Sequence, residues 1–117
     1  MATHLFILND PPYGTERSYN ALRLAISLAK VEGEQVRVFL MGDAAACAKA
    51  GQKVPAGYYN AGDMLGMVAR RNAAVGVCGT CMDARGMADD RLVEGAGRGT
   101  MDILTEWTEW ADKVLVF

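Results

Sequence analysis

The chain reads as an α/β fold, a parallel sheet of about four to five strands with helices on both faces. Three observations predict this. Short, nearly continuous apolar runs recur at residues 3–9 (THLFILN), 35–41 (QVRVFLM) and 73–77 (AAVGV), the pattern of strands buried on both faces. Between them lie segments of helical spacing, so each strand returns to the sheet through a right-handed helical crossover. Finally, 117 residues with 51% hydrophobic content suffice for one layered core and leave no room for a second. Positions 1–117 are therefore read as a single domain.

The first strand, 3–9, ends at Asp10-Pro11-Pro12-Tyr13-Gly14, a loop sequence that reads as a flexible rim. Thr15 is the N-cap candidate of the helix that follows. Polar residues then recur at Glu16, Asn20, Arg23, Ser27 and Lys30, which leaves Leu22, Ala25, Ile26 and Ala29 inward until Gly33 stops the helix. The second strand, 35–41, is rich in β-branched and aromatic residues, and Gly42-Asp43 opens an alanine-rich helical turn over 44–50. Residues 51–59 (GQKVPAGYY) read as a loop. Asn60 caps the next helix, with Asp63 in its first turn and Met64, Leu65 and Val68 as its buried stripe. The third strand, 73–77, leads directly into Cys78-Gly79-Thr80-Cys81 and a short helix closed by Gly86, and a further turn falls within 89–94. Thr100 caps the last helix, with Met101, Leu104, Trp107 and Ala111 inward and Asp102, Glu106 and Glu109 toward water. Residues 113–117 (KVLVF) close the chain as a strand, the fourth that the pattern itself identifies.

The formal charge of -2 and the single His4 offer no basic field for a phosphate backbone, so nucleic acid is not an expected partner. No apolar stretch approaches the roughly 20 residues that span a bilayer, and the amino terminus lacks the charged and apolar regions of an export signal, which predicts a cytoplasmic protein with no membrane partner. Three cysteines in a chain of ordinary core composition read as thiols, since disulfide scaffolds use more of them and in even number. They do not make a zinc site either, because four ligands are wanted and only one Cys-x-x-Cys pair, distant Cys47 and His4 are on offer. No metal and no cofactor are expected. A small parallel sheet has two open edges, and a last strand ending on Phe117 is hard to leave in water, which predicts a homo-oligomer.

In open α/β sheets chemistry collects beyond the carboxyl ends of the strands, where Cys78 follows the third strand. A thiol at a helix start can be shifted toward thiolate, the nucleophilic form. Gly79 leaves the backbone unobstructed beside the sulfur, Thr80 can donate a hydroxyl to it, and Cys81 stands one helical turn on, close enough for a reducible disulfide. Cys47 reads as a small buried hydrophobe and His4 as a satisfied, half-buried strand residue. Tyr58 and Tyr59 are either packing anchors or walls over the thiol, and Asp83 and Arg85 read as helix-surface charges. A thioredoxin-like role has the right dithiol in CGTC, but no proline follows Pro55 to oppose it.

With VCGTCMDARGM the chain resembles the DsrE-like family of small sulfur-relay proteins. The resemblance extends through NDPPYGTERSYNALRLA, FLMGDA, VPAGYYN and the closing TMDILTEWTEWADKVLVF. It implies a parallel sheet between helices, assembled as trimers or hexamers. It also implies a cysteine that carries sulfur as a persulfide between donor and acceptor proteins. Cys78, followed by a helix ending at Arg85-Gly86, matches the carrier position. Cys81 and Asp83-Ala84 depart from the relay pattern, so the pair Cys78/Cys81, supported by Gly79, Thr80, Arg85 and Tyr58, is the expected site. Two other roles stay open: a thiol/disulfide redox protein using the same pair, and a non-catalytic oligomeric binding module.

Overall fold

A computed structural model describes residues 1–117. Five parallel strands form one sheet in the order β4-β3-β2-β1-β5. They are β1 (Thr3–Leu8), β2 (Gln35–Leu40), β3 (Ala74–Cys78), β4 (Ala96–Gly99) and β5 (Lys113–Val116). Helices α1 (Arg17–Ala29), α2 (Ala61–Ala69), α3 (Gly79–Ala84) and α4 (Met101–Trp110) alternate with them, and short 3-10 helices occupy Gly42–Ala48 and Asp89–Arg91.

The chain lays down β1 to β4 in one direction and then jumps back across the sheet to place β5 beside β1. With right-handed crossovers, a reversal of direction moves the connecting helix to the other face. Thus α1 and α2 pack over one face, where Phe6, Leu8, Val36, Val38, Leu40, Val75 and Val77 meet Leu22, Leu65 and Val68 in the main core. On the other face α4 lies over Leu5 and Phe39, with Leu104 buried between them. Strand alternation assigns the side chains, since successive residues of β1 and β2 point to opposite faces.

The fifth strand is the one the pattern did not reveal. Residues 96–99 are AGRG, with no apolar run to signal a strand. Tertiary space explains the glycines: a Cβ on Gly99 would stand 2.8 Å from the Phe39 ring, and one on Gly76 would meet Phe39 at 3.0 Å and Trp107 at 3.1 Å. The ring of Phe39, held edge-on by Trp107 at 5.8 Å between centroids, occupies what side chains would need.

Asn60 and Thr100 cap their helices as expected, accepting from the Asp63 and Ile103 N–H groups at 3.0 and 3.2 Å. Thr15 does not. The helix begins at Arg17 with Glu16 in the cap position, so Thr15 lies one residue too early; its hydroxyl donates to Asp10 at 3.1 Å and accepts the Arg17 N–H at 3.4 Å. The 10–14 loop, expected as a flexible rim, is tied down: Ser18 Oγ donates to the Asp10 carbonyl at 2.7 Å and Tyr59 OH to the Pro12 carbonyl at 3.0 Å. Met101, expected inward, is 63% exposed, because the inward face of α4 runs through Ile103, Leu104 and Trp107 and Met101 lies to one side of it. His4 is fully buried and not half-buried, and neither ring nitrogen is hydrogen-bonded; its register partner Val36 is apolar, and only Glu34 approaches, at 3.5 Å. Phe117 folds onto Phe6, the rings stacked at 6.0 Å, so the chain covers its own terminus, while Val114 and Val116 on edge strand β5 stay exposed.

Candidate functional site

Cys78 is the last residue of β3, paired with Gly99 of β4, and it caps α3. Strand alternation turns Val75 and Val77 into the main core and Cys78 toward the α4 side, where it is half-buried against the smaller cluster of Leu5, Phe39 and Leu104. Thr80 Oγ1 lies 3.4 Å from its sulfur. Cys81, one helical turn further, packs against the main core, and its Sγ accepts the Gly42 N–H at 3.1 Å. The two thiols therefore flank the carboxyl end of the sheet from opposite sides. All three cysteines are free.

Partial burial pushes the Cys78 thiol up, but hydrogen bonds from the Cys81 thiol, the Thr80 hydroxyl and the backbone N–H groups of Cys81 and Thr80 outweigh it, and the group ends below the ordinary thiol range. Cys81 ends above that range. Burial raises it first and its hydrogen bond to Cys78 raises it further, against the opposing pull of the Gly42 N–H and the Arg85 charge. The two shifts run in opposite directions, so Cys78 is the more readily ionised thiol of the pair. Cys47 behaves as expected of a buried thiol: it is fully enclosed, and desolvation pushes it up to about 11.

Cys78 opens onto a cleft of about 250 Å³ lined by Gly79, Thr80, Arg98, Gly99, Thr100 and Met101. Glycine at 79 leaves room for Arg98 there, since a Cβ would stand 2.6 Å from its guanidinium and 3.2 Å from the Gly99 carbonyl and would push the Arg98 side chain aside. Arg98 is held by two carboxylates, Asp83 at 2.8 Å and Asp89 at 2.9 Å, and its guanidinium keeps the Asp83 carboxyl below the usual range. The three side chains carry a net negative charge, so Arg98 is not a free anion receptor.

The structure brings together Cys78, Gly79, Thr80, Cys81 and, through the Cys81 carbonyl, Arg85. Tyr58 is elsewhere: it lines a separate cleft with Tyr13, Glu16, Tyr19, Gly57 and Tyr59, where the Tyr19 and Tyr59 rings stack at 4.2 Å. Asp83 and Arg85 are exposed as expected, but each is paired, with Arg98 and with Asp43 respectively. Sequence reading missed Arg98, Asp89 and the Gly42 amide. Arg98 sits in a glycine-rich stretch without a motif, and a backbone N–H leaves no trace in residue identity. No group of three or more His, Cys, Asp or Glu side chains is placed to hold a metal ion.

Fold and site together define a class first: a parallel α/β protein with a thiol pair at the carboxyl end of its third strand. The chain belongs to the DsrE/DsrF-like family, whose model matches residues 3–117. It is similar to the protein YchN of Escherichia coli K12, with 42% identity over 114 residues that cover 97% of each chain. An uncharacterized protein of Methanopyrus kandleri is 38% identical over 111 residues, 95% of this chain and 90% of that one. The crystal structure of YchN from E. coli superposes over the whole of both chains with a TM-score of 0.93. A protein of unknown function from Methanobacterium thermoautotrophicum shares the fold at 15% identity, with a TM-score of 0.75 over both full chains.

Proposed function

We propose that this protein is a sulfur carrier, in which Cys78 accepts sulfane sulfur from a donor persulfide and passes it to a partner thiol. The observation that carries the reading is a half-buried Cys78 that opens onto a cleft at the carboxyl end of β3, its sulfur 3.4 Å from the Thr80 hydroxyl and its thiol shifted toward the thiolate, while Cys81 is shifted the other way. In the loading step the Cys78 thiolate attacks the outer sulfur of the donor R–S–SH. A new S–S bond forms on Cys78, the donor's own S–S bond breaks, and its electron pair leaves as the thiolate R–S⁻. Delivery is the same exchange in reverse, with an acceptor thiolate as nucleophile. No external oxidant is needed. Membership of the DsrE/DsrF-like family supports the relay role. A homo-oligomer, trimer or hexamer, is part of the same reading, supported by the exposed valines 114 and 116 on an edge strand.

A second reading, a dithiol redox protein, is favoured by the spacing of the pair, which places Cys78 at the cap position of α3 and Cys81 in its first turn. Intact-mass spectrometry after exposure to a persulfide donor separates the two. A reductant-reversible gain of one sulfur, lost in Cys78→Ser and kept in Cys81→Ser, is the expected result. Equal loading in Cys78→Ser refutes the assignment, and loss of two hydrogens without any gain favours the redox role.

A further inference from the structure

We propose that the Asp43–Arg85 ion pair is a positioning device for the Cys81 sulfur and thereby sets how long Cys78 keeps its cargo. The inference rests on the carrier reading above. Arg85 Nη2 and Nε both donate to Asp43 Oδ1, at 2.7 and 3.2 Å, and Arg85 Nη1 donates to the Cys81 carbonyl at 3.1 Å. Asp43 directly follows Gly42, whose N–H donates to Cys81 Sγ at 3.1 Å. One guanidinium thus clips the end of α3 to the start of the Gly42–Ala48 helix, and the clip keeps the Gly42 amide on the sulfur. Gly42 holds φ at +55°, which an L side chain would disfavour, so the turn that aims this amide is itself specific.

The amide matters once Cys78 is loaded. For sulfur to be lost as sulfide, Cys81 gives its proton to solvent and its thiolate attacks Sγ of Cys78. A Cys78–Cys81 bond forms, the bond to the outer sulfur breaks, and that sulfur leaves with the electron pair and its own hydrogen as HS⁻. The two cysteines are oxidised and the sulfane sulfur is reduced. The step requires ionised Cys81, and the two groups that favour this ionisation are the Gly42 N–H and the Arg85 charge, both held by the clip. Arg85 and Asp43 are positioning residues, acting through the amide without touching the transferred sulfur. Their side chains remain 34% and 66% exposed, so the expected effect is modest and substitution leaves the core intact.

Two measurements test this. In a Cys78→Ser background, Asp43→Ala is expected to move the pH midpoint of Cys81 alkylation upward and slow alkylation about threefold at fixed pH. In the chain with both cysteines, the same substitution leaves loading from a small-molecule persulfide unchanged and slows sulfide release about threefold, while Arg85→Gln, which also removes a charge, slows release more. Asp43→Asn keeps an oxygen for Arg85 and restores most of the rate. Unchanged thermal unfolding reports an intact fold. An unmoved midpoint together with unchanged release overturns the proposal while leaving the carrier reading in place. If the protein takes up no sulfur, the carrier reading and the claim on cargo lifetime both fall; a shifted Cys81 midpoint would then still support the positioning role.

Discussion

The two faces of the sheet are unequal. The face that packs with α1 and α2 holds a cluster of 20 buried residues, whereas the α4 face holds three, Leu104 of α4 itself among them, so the first face carries most of the apolar burial that holds the fold. Cys81 and Cys47 pack against the large cluster; Cys78 packs against the small one. Both site thiols are half-buried, so the two faces differ in what backs each thiol and not in how far it is enclosed. Thin cover leaves Arg37 of β2 to lie over the Trp110 ring at 3.9 Å, the guanidinium and indoles doing the work of a second layer of aliphatic side chains.

Matched truncations put the largest number on this inequality. Leu65→Ala on the thick side is expected to cost about 4 kcal/mol in urea unfolding, and Leu104→Ala on the α4 side about 2 kcal/mol, both within the range for leucine truncation. Equal losses would mean that α4 anchors its face as firmly as α1 and α2 anchor theirs.

Next in size is an alkaline effect confined to the thick side. Cys47 is held at about 11 when folded against an ordinary value of 9.0. The unfolded chain therefore releases this proton first, and stability is full below pH 9 and falls as pH rises toward 11. The loss attributable to this group is about 2 to 3 kcal/mol, and Cys47→Ala should remove that part of the slope in unfolding followed from pH 8 to about 11.

Smaller again is a pair of glycine substitutions in β4. Gly99→Ala drives a methyl into the Phe39 ring and should cost about 1 to 3 kcal/mol, whereas Gly97→Ala meets nothing within 4 Å and should cost less than about 1 kcal/mol. Similar losses at both would show that β4 tolerates side chains and that its glycines answer to something other than Phe39. The finest distinction is between the site thiols: alkylation mapped by residue should show Cys78 ionising below the ordinary thiol value and Cys81 above it, so Cys78 reacts first as pH rises. The reverse order would place the nucleophile on the thick side.

Much of the frame was legible because period carries it. Strands at 3–8, 35–40 and 113–116 and the caps Asn60 and Thr100 follow from apolar runs and local hydrogen-bond chemistry, which need only near neighbours in the chain. Cys78 and Cys81 stood out for the same reason, as a strand end meeting a helix start. Thr15 failed as a cap because the helix starts one residue later, with Glu16 in the cap position, and Met101 failed as a core residue because the inward face of α4 runs through Ile103, Leu104 and Trp107 and leaves Met101 to one side.

What the sequence determined by itself was the alternation of strand and helix, hence the parallel sheet, and the placement of a thiol pair at one strand's carboxyl end. Only the tertiary structure decided that AGRG is a strand, that the two thiols face opposite sides of the sheet, that Tyr58 belongs to another cleft, and that Gly42 meets Cys81. These contacts join residues far apart along the chain, 39 positions for Gly42 and Cys81. Such meetings depend on how layers stack and which atoms exclude others, and local pattern carries no record of either.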